Sequence, residues 1–264
     1  GDEKAFTDGK VIYLPSYINL FNDSFMPLEA NRNLSSYIAF SLHEAGHILC
    51  GSYHFNIKDF VNSLERPQLF RIILNVFEDY RIESFIVRMN VHPQANKLFS
   101  MVKRRQLERL AKINISPGAN FLFYIVHMAD SNNFDAISNE DYFPKINEFL
   151  DMNYYSGEFC NLRELASYGI QRLINLDIAN PLSAIILAEI FYNIMKFWPE
   201  DALNGMGDTI MLPPSEVMNG CTGEKSKSLT REQLNELYNL CNGNIQRFLA
   251  RHGINAFPDL ISDN

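Results

Sequence analysis

Residues 33–51 read NLSSYIAFSLHEAGHILCG. Tyr37, Ile38, Phe40, Leu42, Ile48 and Leu49 make the stretch apolar on most sides, with Asn33 placed to cap its start and Gly51 to end it. The spacing predicts a helix buried on most of its surface. Within it, His43-Glu44-Ala45-Gly46-His47 matches the pattern H-E-x-x-H. A helix turns about 100° per residue, so positions i and i+4 lie one above the other and both imidazoles can reach one ion. Glu44 then points beside that face, where a carboxylate can act as a base without ligating the metal. An ordinary amphipathic helix, with both histidines satisfied by backbone or solvent, is the plainer reading. Two histidines and a glutamate in a buried helix nevertheless need partners, and a metal ion is the simplest one.

A catalytic zinc has three protein ligands and one open position, so a third donor is expected downstream. From Pro67 to Asn90 the chain reads PQLFRIILNVFEDYRIESFIVRMN, an amphipathic helix carrying Asn75, Glu78, Asp79, Arg81 and Glu83 in its middle. Glu78 is chosen as the third ligand, on a face shared with Asn75 and Ile82. Asp79 is the competitor: it stands four residues before Glu83, so that one acid could ligate while the other orients a histidine. Arg81 could neutralise the surplus of acids. The same residues could also form a solvated charged stripe with i,i+3 and i,i+4 pairs.

These segments carry a resemblance. The run Thr7-Asp8-Gly9-Lys10-Val11-Ile12-Tyr13-Leu14-Pro15, then Asn33, Tyr37, the H-E-x-x-H motif and Asn75 to Glu83 resemble one known region. It is similar to the zincin-like segment preceding the von Willebrand factor A domain in nitric-oxide-reductase activation proteins, and more distantly in cobaltochelatase-type subunits. The likeness covers about residues 7–90, roughly a third of the chain. It implies a cytoplasmic assembly or metal-insertion factor working beside a MoxR-type AAA+ ATPase. The A-domain motif D-x-S-x-S does not occur in these residues, so any such domain lies outside them.

Composition bounds the rest. The 264 residues, 47% of them hydrophobic, suffice for a sizeable core. A net charge of −8 argues against a nucleic-acid binder. The one basic run, Lys103-Arg104-Arg105 with Arg109 and Lys112, alternates with Leu107, Leu110 and Ile113 and reads as a solvated helix face. Cys50, Cys160, Cys221 and Cys241 are far apart, which points to neither a zinc knuckle nor a disulfide framework and suits a reducing compartment. Cys50, three residues after His47, reads as a small buried hydrophobe. The charged N-terminus GDEKAFTDGK has no apolar signal region. Pro181 to Trp198 is the most apolar stretch, but Glu189, Asn193 and Lys196 make it a core helix and not a membrane span.

Helical patterns dominate elsewhere: Pro93 to Ile113, Asn120 to Ala129, Asp141 to Leu150, Asn161 to Leu176 and Pro181 to Trp198. A capping box at Thr230-Arg231-Glu232-Gln233 opens another to about Leu240, and Ile245 to Arg251 could add a last one. Lys10 to Leu14 and Ser52 to Ile57 are expected as two short antiparallel neighbours. Residues 200–228 read as a linker, or as a lid over the cleft. The expected fold is mainly α, a zincin-like helical domain over residues 1–200 with at most a small β-hairpin near its start. Residues 201–264 are expected to pack on the same domain. The expected function is zinc-dependent peptide hydrolysis, with His43, His47 and Glu78 on the metal and Glu44 as general base. His54, Tyr80, His127, Tyr154 and Tyr155 are each chemically able to stabilise an oxyanion, whereas His92 and His252 read as surface or packing residues. The alternative is a metal-binding adaptor that delivers a client to the ATPase and cuts nothing.

Overall fold

Pro67, at the first helical position where its missing N–H costs nothing, starts the helix around which the others gather. The computed structural model describes residues 5–15, 27–53, 55–110, 112, 115–131, 149–150, 162–206 and 227–228, and these are mostly helical. In chain order the helices are α1 (Pro27–Leu49), α2 (Lys58–Ser63), α3 (Pro67–Arg88), α4 (Ala95–Leu110), α5 (Pro117–Asp130), α6 (Leu162–Ile174), α7 (Leu182–Met195) and α8 (Glu200–Leu203). The short strands are β1 (Phe6–Thr7), β2 (Ile12–Tyr13), β3 (Phe55–Asn56) and β4 (Lys227–Ser228).

Helix α3 is buried on nearly every side and packs against α1, α2, α4, α5, α6 and α7. Its apolar face joins Phe70 to Tyr192 and Phe77 to Phe191, edge to face at 5.8 and 5.1 Å between ring centroids. Phe121 of α5 and Trp198 extend the same core. The apolar stretch expected at Pro181 to Trp198 is therefore a core helix, and no helix among the described residues is long and apolar enough to cross a membrane.

Two local expectations change. Helix α1 begins at Pro27, so Asn33 lies inside it and is not its cap. Leu28, Glu29 and Ala30 are good helix formers and carry the helix upstream. Lys10 to Leu14 does form a strand, but β2 pairs antiparallel with β1, in register Phe6 to Tyr13, and not with Ser52 to Ile57. The reason is local: Asp8 Oδ1 accepts the N–H groups of Lys10 and Val11, each at 2.8 Å, while Gly9 takes φ 87°, so the chain reverses at Asp8-Gly9. Within Ser52 to Ile57, β3 pairs parallel with β4 instead. The stretch expected as linker or lid opens with α8, and residues 207–226 lie outside the described residues. So do the helices expected at Thr230 to Leu240 and Ile245 to Arg251, and Asp141 to Leu150 apart from a helical Phe149-Leu150.

The end of α1 sets up the site. Gly51, at φ 69°, sends its N–H to the Ile48 carbonyl at 3.3 Å, and Ser52 sends its own to the His47 carbonyl at 3.0 Å. This glycine-terminated reversal brings the Ser52 side chain back beneath His47. Tyr53 follows, and its hydroxyl donates to the Thr7 carbonyl at 2.9 Å, tying the β1–β2 hairpin to this end of α1.

Candidate metal centre

Helices α1 and α3 meet along the H-E-x-x-H face. A Cβ placed on Gly46 would stand 2.7 Å from Ile86 Cδ1 and 3.4 Å from Ile82 Cβ, so the glycine between the two histidines lets the helices approach this closely. The approach sets His43 and His47 opposite the α3 residues that lie three and four positions apart, Asp79, Ile82, Glu83 and Ile86.

Asp79 is the acid that the structure brings to both histidines. Its Oδ1 lies 3.5 Å from His43 Nε2 and 3.6 Å from His47 Nε2. One ligand atom from each of the three residues falls within 4.8 Å of the others. Tetrahedral zinc with bonds near 2.0–2.1 Å separates its ligand atoms by about 3.3 Å, so this donor set fits a small divalent ion with little movement. Asn75 Nδ2 donates to the other oxygen of Asp79 at 3.2 Å and holds Oδ1 toward the histidines.

Glu78, expected as the third ligand, is turned elsewhere. Adjacent helix positions differ by about 100°, which puts Glu78 on the next face of α3. There its two oxygens accept from Arg81 Nε at 2.7 Å and Nη2 at 2.6 Å. Arg81 is wholly buried and also donates to the carbonyls of Ile178 and Cys50 at 2.9 and 3.1 Å. Glu78 further accepts from the Ser52 hydroxyl. A solvated charged stripe is thereby excluded: Glu78, Arg81 and Glu83 are all buried.

The outer nitrogens of both histidines are held. His43 Nδ1 donates to Glu83 Oε1 at 2.9 Å. His47 Nδ1 lies 3.1 Å from Ser52 Oγ, and because that hydroxyl gives its proton to the Glu78 carboxylate, it must accept from the Nδ1–H of His47. Both rings therefore carry hydrogen on Nδ1 and aim Nε2 at Asp79, the arrangement in which ligating histidines are oriented by carboxylates. Of the i,i+4 pair of acids on α3, Glu83 thus stands behind the His43 ring and Asp79 faces the two Nε2 atoms.

The two histidines differ in their electrostatics. Burial opposes a charge on His43, but Asp79 and Glu83 outweigh it and lift its pKa well above the ordinary histidine range. Burial, helped by the neighbouring His43, pushes His47 down to about 3. Burial raises the Glu44 carboxyl to about 7, with His43 and Asp79 acting in opposite senses on it. Glu44 is buried beside the ligand face and has no hydrogen-bonding partner among the described residues.

Beyond Glu83 the structure corrects the reading of the basic run. Arg104 and Arg109 are exposed, but Lys103 is buried, its Nζ 2.6 Å from Glu83 Oε2 and 2.7 Å from Asp130 Oδ2. Burial opposes the Glu83 charge, yet Lys103 and His43 hold its pKa at about 2. Of the residues expected to stabilise an oxyanion, Tyr80 is sealed in the core and His127 is buried 3.6 Å from Asp130. His54, Tyr154 and Tyr155 lie outside the described residues, as does His252, while His92 is half-buried and accepts the Gln94 N–H at 3.2 Å. Cys50 is buried as expected of a small hydrophobe, and burial pushes its thiol up to about 11.

No family model, curated protein or solved structure matches this chain.

Proposed function

We propose that the chain is a zinc-dependent hydrolase of peptide bonds, in which His43, His47 and Asp79 hold the ion and Glu44 is the general base. The observation that carries this reading is the convergence of His43 Nε2, His47 Nε2 and Asp79 Oδ1, with each imidazole fixed from behind at Nδ1. Asp79 thus takes the place first given to Glu78. The donor set of two imidazoles and a carboxylate suits zinc and leaves a coordination position open. When bound, zinc supplies a Lewis acid that acidifies water and polarises a carbonyl.

The remaining work falls to the chain. Glu44 is buried beside the face shared by His43 and His47 without being drawn into its hydrogen bonds, so its carboxylate is placed to accept a proton there. It takes a proton from the attacking water and delivers it to the leaving amine. Asn75 fixes the aspartate, and Glu83 and Ser52 fix the two rings, so the ligands need not be ordered when the ion arrives.

Elemental analysis and a peptide-cleavage assay on the parent and the Glu44→Gln variant test the reading. About one zinc per chain in both proteins, with cleavage only by the parent, is expected. Parent protein that binds zinc but cleaves nothing, with client activation unchanged by Glu44→Gln, overturns the hydrolase. It would leave the adaptor reading implied by the resemblance, a metal-binding partner of a MoxR-type AAA+ ATPase.

A further inference from the structure

We propose that Lys103 and Asp130 are positioning residues of the metal site, acting on His43 through Glu83. The inference rests on the metal-binding reading above. Four side chains from four helices form one line, half-buried at His43 of α1 and buried at Glu83 of α3, Lys103 of α4 and Asp130 of α5. Its links measure 2.9 Å from His43 Nδ1 to Glu83 Oε1, 2.6 Å from Glu83 Oε2 to Lys103 Nζ, and 2.7 Å from that Nζ to Asp130 Oδ2. Both oxygens of Glu83 are therefore anchored, one by the ring and one by the ammonium. A carboxylate held at one oxygen can still turn about its flexible stem, whereas one held at both has a single orientation, and the His43 ring inherits it. Asp130 in turn keeps the Lys103 head from following Glu83.

Packing alone gives no reason for these charges. The other buried positions of α4 include Leu98, Val102 and Leu107, and an apolar residue at 103 would suit them. Replacing buried ion networks by apolar residues is often neutral or stabilising. Asp130 is also the last residue of α5, the end at which the helix dipole disfavours an acid. Each of these unfavourable choices is explained if the line must end on Glu83 in a fixed orientation. Helices α4 and α5 then contribute to the metal site without supplying a ligand.

The test is zinc affinity, measured by chelator competition on folded protein, for the full chain and for Lys103→Met, Asp130→Asn and Leu107→Ala. The last is a control that removes buried apolar contact from the same helix, and near-UV circular dichroism establishes that each variant is folded. Lys103→Met should bind zinc about 10–100-fold more weakly, the usual effect of losing an orienting partner. Asp130→Asn should lose less in the same direction, and Leu107→Ala should bind as the parent does. Parent-like affinity in Lys103→Met, or an equal loss in all three variants, overturns the proposal while leaving the metal site standing. If Lys103→Met does not fold, Asp130→Asn against Leu107→Ala decides on the same terms. A parent that takes up no zinc overturns the metal reading itself, and the proposal with it.

Discussion

Ser52 Oγ lies 3.1 Å from His47 Nδ1, at the point where the chain has just turned out of the helix that carries the histidine. One residue thus does two things: its N–H closes the helix on the His47 carbonyl, and its hydroxyl passes the negative charge of Glu78 to the His47 ring. Ser52→Ala removes only the second. Zinc affinity should fall about 10–100-fold, as when other orienting partners are lost, with the helical circular dichroism unchanged. Unchanged affinity would mean that His47 does not depend on Ser52 for its orientation.

Asp79 and Glu78 are neighbours in sequence, yet their variants should fail in different ways. Asp79→Ala removes the proposed ligand from a half-exposed position, so the protein should stay folded and take up no zinc. Glu78→Ala leaves the Arg81 guanidinium buried without its carboxylate, a loss that costs about 3–5 kcal/mol of stability. Urea unfolding beside metal analysis separates the two. Zinc retained by Asp79→Ala but lost by Glu78→Ala in protein that is still folded would restore Glu78 as the ligand.

The helices were legible because each buries a regular apolar face, and α3 from Pro67 to Arg88 falls within two residues of its expected bounds. The pairing of His43 with His47 was legible because spacing alone puts them on one face. The acid that faces them was not, since Glu78 and Asp79 stand on adjacent faces and only the rotation of α3 against α1 chooses between them. A signal existed: Asp79 stands midway in the stripe Asn75-Asp79-Glu83, and Gly46 shows which face of α1 is approached closely. Lys103 was read with its exposed neighbours Arg104 and Arg109, because its partners Glu83 and Asp130 are 20 and 27 residues away in sequence. The hairpin partner was misjudged for the opposite reason, a short-range one, in that Asp8-Gly9 closes a turn within its own strand pair.

Gly46 sets two effects against each other. Alanine in its place gains about 1 kcal/mol of helix propensity. The added Cβ would meet Ile86 Cδ1 at 2.7 Å in a fully buried contact, and overpacking of this kind typically costs about 1–3 kcal/mol. Gly46→Ala should therefore be neutral to about 2 kcal/mol less stable by urea unfolding, and Gly46→Val worse, since it adds volume without the propensity. Because relief requires α1 to move off α3, zinc affinity should fall in both. A Gly46→Ala protein more stable than the parent, with parental affinity, would show that Ile86 yields without moving the helices.

Glu189 offers a pH test away from the metal. It lies in α7 with 1% of its surface exposed, one oxygen accepting from Asn193 Nδ2 at 2.9 Å and the other without a hydrogen-bond partner among the described residues. Burial raises its pKa from 4.5 to about 7. An acid that binds its proton more tightly when folded contributes stability that is fully present below its unfolded pKa and is lost as pH rises toward its folded pKa. Stability of the parent relative to Glu189→Gln should therefore fall between about pH 4.5 and 7, by a few kcal/mol at most. Taking the difference between the two proteins removes the contributions of Glu44 and Asp130, whose pKa values burial also raises. Urea midpoints at pH 5 and pH 8 suffice: the variant should gain on the parent at the higher pH, and a gap that stays constant would mean that Glu189 is charged in the fold at both.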